Sequence, residues 1–205
     1  MKLLKDSLTV VLLGDWNKLY MQPEWIAHNI YEKKEIEIGV SGQGIDLKVT
    51  YRSNEVVIAP TQSQVTMTAI NADSTALNDL VKCLNNFLNK AKTPYLIAYG
   101  LNCEFVDDDS SVFANMIDSM ADSSIIIENG YEIKSSKVMR SLMKDGVMLN
   151  LETTMEGTGV RVHFNEHHGN KLTEMPSITV EQILGFLKAA KEIVIALGYE
   201  IEEDD

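Results

Sequence analysis

Residues 93–106, TPYLIAYGLNCEFV, constrain the fold more than any other stretch of the chain. Pro94 cannot continue a helix, and it pushes Thr93 into extended backbone. The first part of the run, YLIAYGL (95–101), is apolar on both faces, which predicts a central strand with neighbours on either side. Gly100 inside it predicts a bulge or a close approach by a helix. The run ends in Asp107, Asp108 and Asp109, so the rest of the chain must supply flanking strands and a covering layer.

The preceding residues offer both. Leu77, Leu80, Val81, Leu84, Leu88 and Ala91 fall at i, i+3, i+4, i+7 spacing, predicting a helix over 74–91 capped from Asn71–Ser74. Upstream lie four period-two segments with short polar turns between them. They centre on Ile36/Ile38/Val40, Ile45/Leu47/Val49/Tyr51, Val56/Ile58 and Val65/Met67/Ala69. That pattern predicts an antiparallel meander with one face on a core. Residues 7–13 predict another strand, and Pro23, Glu24, Ile26 and Ile30 a short helix over 23–31.

Beyond the central run, residues 110–122 predict a short helix. Asn129-Gly130 and Asp145-Gly146 predict hairpin turns. A further hairpin pairs Val147/Leu149/Leu151 with Val160/Val162/Phe164 across Glu156–Gly159. Thr179-Val-Glu-Gln182 is a capping box opening a second long amphipathic helix that Gly198 ends. The expected fold is α+β: a mostly antiparallel sheet with two long amphipathic helices and two short ones. One domain over 1–205 is expected, with two similar meander-and-helix halves, 1–106 and 107–198, and a solvated acidic tail at 199–205.

Charge narrows the function. The chain carries −12 overall, of which residues 1–105 contribute −1 and residues 106–205 contribute −11. A phosphate backbone would be repelled by the second half, which argues against nucleic acid as a partner. The apolar runs are too short to span a bilayer. Asp6, Asp15 and Trp16 break the signal-peptide resemblance of the first residues. Cys83 and Cys103 fall in a helix and a strand as buried reduced thiols, consistent with a cytoplasmic setting.

Few residues offer chemistry. HFNEHH (163–168) is the one metal-like or acid/base cluster, with candidates His163, Glu166 and His167. Zinc spacing of that kind needs a helix, whereas His163 alternates with Val162 and Phe164 as on a strand, leaving His167 in the loop beyond. Asp107–Asp109 lack calcium-loop spacing and suit a helix cap. Gly42-x-Gly44 and Gly157-x-Gly159 join strand to strand, not strand to helix as phosphate cradles do. Trp16, Tyr20, Trp25 and Tyr31 gather around the first short helix, as core aromatics or as a protein-binding patch.

Thr93-Pro94, the AYGLN core and Glu104-Phe105 resemble a "TP…A.GINF.F" strand found after an amphipathic helix in an uncharacterised group of bacterial proteins. VVLLGDWN (10–17) and QPEW (22–25) are similar to that group as well. More distantly, strands followed by one long helix, given twice, resemble the SecB-like chaperone fold. That likeness implies an oligomer with apolar grooves for unfolded segments. No functional residue carries over from either. The expectation is a non-enzymatic, self-associating protein-binding subunit or adaptor without a cofactor. The alternatives are a SecB-like binder of unfolded segments, or a metal-dependent hydrolase using His163, Glu166 and His167.

Overall fold

The structure, a computed structural model, describes residues 1–16, 22–42, 48–91, 96–120, 124–169 and 176–202. In chain order the strands are β1 (Lys2–Leu3), β2 (Thr9–Gly14), β3 (Glu37–Ser41), β4 (Lys48–Arg52), β5 (Val56–Pro60), β6 (Gln64–Ala69), β7 (Leu96–Asp107), β8 (Ser135–Lys144), β9 (Val147–Glu156) and β10 (Gly159–Gly169). The helices are α1 (Pro23–Trp25, running on as a π-helical turn over Ile26–Tyr31), α2 (Ser74–Lys90), α3 (Ser111–Met120), α4 (Ser124–Glu128) and α5 (Val180–Ala196). All ten strands join one antiparallel sheet in the order β3-β4-β5-β6-β2-β7-β10-β9-β8, with β1 pairing β7 off that path. The α+β architecture and the two long helices are those the periodicity predicts.

β7 is central, as the apolar run at its start predicts, although its later residues Asn102 and Glu104 face the open side. It pairs β2 on one side, with Thr9 opposite Asn102, and β10 on the other, from Val160 opposite Asp107 to Gly169 opposite Ala98. Each of β2 and β7 is followed by a meander whose last strand returns beside it, β6 for β2 and β10 for β7.

Alternation sends Val10, Leu12, Val65, Met67, Leu101, Cys103, Phe105, Val162 and Phe164 to one face, where all are buried. α2 and α5 pack on that face and on each other. Their ends are made locally. The Asp73 carboxylate accepts from the Thr75 and Ala76 N–H groups at 2.9 Å each. Thr179 and Gln182 form the capping box that the sequence spells out. α1 docks on α2, whose Asn86 and Lys90 side chains donate to the orphan carbonyls of Ile30 and Asn29.

Four expectations change. Asn129-Gly130 makes no hairpin; the Gly130 N–H bonds the Ile127 carbonyl and closes α4. Ile38 and Val40 lie on the helix side of β3 yet stay 52% and 63% exposed, because the helices stop short of that edge. Gly100 marks neither a bulge nor a helix contact. A Cβ there would meet the Asn165 amide at 3.1 Å and the Glu166 carbonyl at 3.3 Å, so the crowding comes from β10. The tail is not wholly solvated either. Tyr199 is buried, and residues 200 and 202 bond the Met1 backbone.

Candidate functional site

A sheet covered by helices on one face leaves the other to solvent. Among the described residues no helix packs on that second face, and its centre holds a row of polar side chains in register. Asn102 on β7, Asn165 on β10, Asn150 on β9 and Ser141 on β8 stand side by side. The Asn165 amide donates to the Asn102 carbonyl oxygen at 2.7 Å, the Asn150 amide to Asn165 at 3.2 Å, and the Ser141 hydroxyl to Asn150 at 2.8 Å. Thr9 and Thr68 continue the row across β2 and β6. A connected amide ladder satisfies its own polar groups and fixes register without burying them.

Toward one end of that face the row gives way to charge. Arg161 meets Glu104 at 3.3 Å, Lys137 meets Glu152 at 2.7 Å, and His163 lies between the two carboxylates with Nδ1 3.7 Å from Glu104. The Lys137 hydrogen bond holds the Glu152 carboxyl below its ordinary range. Lys48 and Arg52 also lie on this face, interleaved with Glu37. Mixed signs make no basic stripe for a phosphate backbone to follow.

Beyond the amide row the β8–β9 hairpin runs out from under the helices. Asp145 (φ 52°) and Gly146 (φ 80°) close it, as the sequence pair predicts. Met139, Met143 and Met148 share the open face, 69%, 65% and 36% exposed, with Met148 directly opposite Met143 and Met139 beyond Ser141. On the other face Leu142 is exposed as well. β8 is the outermost strand, and eight of its ten residues are exposed. Val138 packs partly against the core, but from Met139 to Lys144 every residue of β8 is exposed, and no described strand pairs its outer edge.

The histidine cluster does not converge. β10 extends to Gly169, so His167 is on the strand rather than in a loop beyond it. Strict alternation then puts His163 and His167 on the open face and sends Glu166 to the helix face. Glu166 pairs instead with His168, at 2.7 Å, and the His168 ring stacks on Tyr99 with centroids 4.4 Å apart. Together with Ile178 and Phe186 these groups line a cavity of about 200 Å³ at the seam with α5. Burial and then the Glu166 charge push the Tyr99 hydroxyl above its usual pKa. The set is a clasp between β7 and β10. His168 and Tyr99 lack any sequence signal linking them, since only the register of two strands brings them together. Among the described residues, no group of three or more His, Cys, Asp or Glu side chains is placed to hold a metal ion.

The aromatic group resolves differently. Trp16 and Tyr31 are buried, Trp25 is partly so, and Tyr20 lies outside the described residues. Trp16 and Trp25 both set edges against Phe87 of α2, with centroids at 5.0 and 6.2 Å. The Tyr31 hydroxyl donates toward the carbonyls of Tyr51 and Val56, tying α1 to the β4–β5 turn. Trp16 and Tyr31 thus belong to the core and present no docking surface. The aspartates are spent locally as well. Asp107 accepts from the Met1 amine at 2.9 Å and from the Asp109 N–H, and Asp109 caps α3 through Ser111.

No known family model matches the chain, and no curated protein does. No helix among the described residues is long and apolar enough to cross a membrane.

Proposed function

We propose that the chain is a non-enzymatic protein-binding subunit whose working surface is the open sheet face and its outer hairpin, β8–β9. The carrying observation is the exposure of Met139, Met143 and Met148 beside an uncovered edge strand of ten residues. The hairpin is anchored to the core through Leu151 and Thr153 of β9, while its outer strand gains little burial of its own, and exposed apolar side chains at a sheet edge offer area to a partner. Methionine suits such a surface, being flexible and polarisable enough to fit a range of apolar contours. The amide row, which runs from β7 through β10 into β9 and β8, supports the reading by tying the hairpin in register to the sheet.

The hydrolase alternative loses its support, because its three residues stand on opposite faces of the sheet. A chaperone-like binder of unfolded segments would use the same hairpin with less selectivity. The test is capture by tagged full-length wild type against Met139→Glu/Met143→Glu, with light scattering on both proteins. Partners or self-association lost in the variant would support the reading. Identical capture, or a wild-type protein that recovers nothing and stays monomeric, would overturn it.

A further inference from the structure

We infer that β8 recruits an acidic, extended segment of a partner protein as an added antiparallel strand. This rests on the protein-binding reading above and names the chemistry of the partner. An outermost strand carries a row of unpaired N–H and C=O groups, and β8 offers that row over ten residues. The opposite edge, β3, is half as long and carries an acidic residue, Glu37.

Charge selects the occupant. β8 holds Lys137, Arg140 and Lys144 and no acidic residue, in a chain of net charge −12. Lys137 is answered by Glu152, while Arg140 and Lys144 are exposed with no ion pair among the described residues. A second copy is a poor occupant. Two-fold antiparallel pairing centred on Arg140 sets that cation opposite itself, centring on Leu142 sets Arg140 opposite Lys144, and centring on Ser141 avoids like pairs but sets Arg140 opposite Leu142 and Lys144 opposite Val138, with no carboxylate for either. Like charges directly opposed across a ladder destabilise it. Arg140 and Lys144 therefore find carboxylates on an acidic strand and none on a copy of β8.

Alternation gives the segment a pattern. Arg140 and Lys144 ask for carboxylates four residues apart on one face, with an apolar residue opposite Leu142 between them. Met139 and Met143 ask for apolar residues on the other face, and Ser141 for a small polar one. Read antiparallel from Lys144 to Lys137, the complement is Glu-Val-Ile-Ser-Glu-Val-Ile-Glu.

That peptide, capped and fluorescently labelled, is the probe for anisotropy titration of the full chain. Two companions go with it: one with Lys for every Glu, and one with Pro for Ser, which removes a backbone donor. We expect saturable binding of the acidic peptide that weakens with salt, and loss of binding for both companions. Arg140→Glu/Lys144→Glu should weaken the acidic peptide at least tenfold and gain the basic one. Both side chains are exposed, so circular dichroism and the urea midpoint should match wild type. No binding of the acidic peptide, equal affinity for acidic and basic peptides, or an unchanged affinity in the double variant would each overturn the proposal. So would a wild-type dimer that dissociates when β8 is charge-reversed. If the peptide fails while a captured partner is still lost in Met139→Glu/Met143→Glu, the strand proposal falls and the protein-binding reading stands.

Discussion

Phe87 decides whether the aromatic residues near α1 are core or surface. Its ring is fully buried on α2 and takes an edge contact from Trp16 at 5.0 Å and another from Trp25 at 6.2 Å. Truncating a buried Phe to Ala costs about 3–5 kcal/mol in lost burial and residual cavity. Each edge contact adds about 0.5–1.5 kcal/mol beyond burial, and the Trp16 contact counts fully because both rings are buried. Phe87→Ala should therefore cost about 5 kcal/mol, a large share of the about 5–15 kcal/mol that holds a domain together. Phe87→Leu is the sharper test, since it keeps most of the apolar volume and loses the ring geometry, for about 1.5 kcal/mol. Urea unfolding followed by tryptophan emission reads both, with the midpoint falling and the slope unchanged. A Phe87→Leu midpoint equivalent to less than about 0.5 kcal/mol of loss, the range of ordinary surface substitutions, would refute the core assignment.

Other outcomes follow from single contacts. Asp73→Ala removes the acceptor for two N–H groups at the start of α2 and should cost about 1 kcal/mol in urea unfolding, with Asp73→Asn close to wild type. Burial raises the Asp107 pKa, but the Asp109 N–H and the Met1 amine outweigh it, so the folded value lies below the unfolded one. Its contribution is thus present above about pH 4 and lost as pH falls through the folded value, and Asp107→Asn should flatten that acid limb of the stability–pH curve. Burial pushes the Cys83 thiol up to about 12 and Cys103 higher than its ordinary value, so neither should react with a thiol reagent at pH 8 until urea unfolds the chain. Prompt labelling of the folded protein would refute the burial of both.

Much of the architecture is legible in the sequence because period and caps agree. β7 reads as central from the apolar run 95–101 at its start, and α2 and α5 read from stripes bounded by Asp73 and by Thr179–Gln182. β8 is the opposite case. SSKVMRSLMK spaces Val138, Met139, Leu142 and Met143 in pairs four apart, a pattern that favours no strand face. It becomes a strand through the tight turn at Asp145-Gly146 and ten paired residues of β9, a tertiary constraint that local periodicity does not encode. The length of β10 is hidden for a similar reason. His167, His168 and Gly169 extend because β7 continues opposite them as Gly100, Tyr99 and Ala98. Asn129-Gly130 shows the converse, a favoured hairpin pair used to end a helix because no second strand lies beside it.

The same reasoning explains why the candidate surface was invisible as a motif. Catalytic and metal signatures are local spacings, and HFNEHH has the composition of one. On a strand the spacing that gathers side chains is two residues, so His163 and His167 share a face from which Glu166 is excluded. An edge-strand surface has no such local signature. It depends on which strand ends the sheet and where the helices stop, and both are set by the order β7-β10-β9-β8. Once that order is known, Arg140 and Lys144 cease to be scattered cations. They stand on one face of a strand whose outer edge is unpaired, with exposed methionines on its other face, where a complementary strand must present its own side chains. The acidity of residues 106–205 then favours selectivity: a basic segment meets attraction over that half of the chain, while an acidic one meets it at β8.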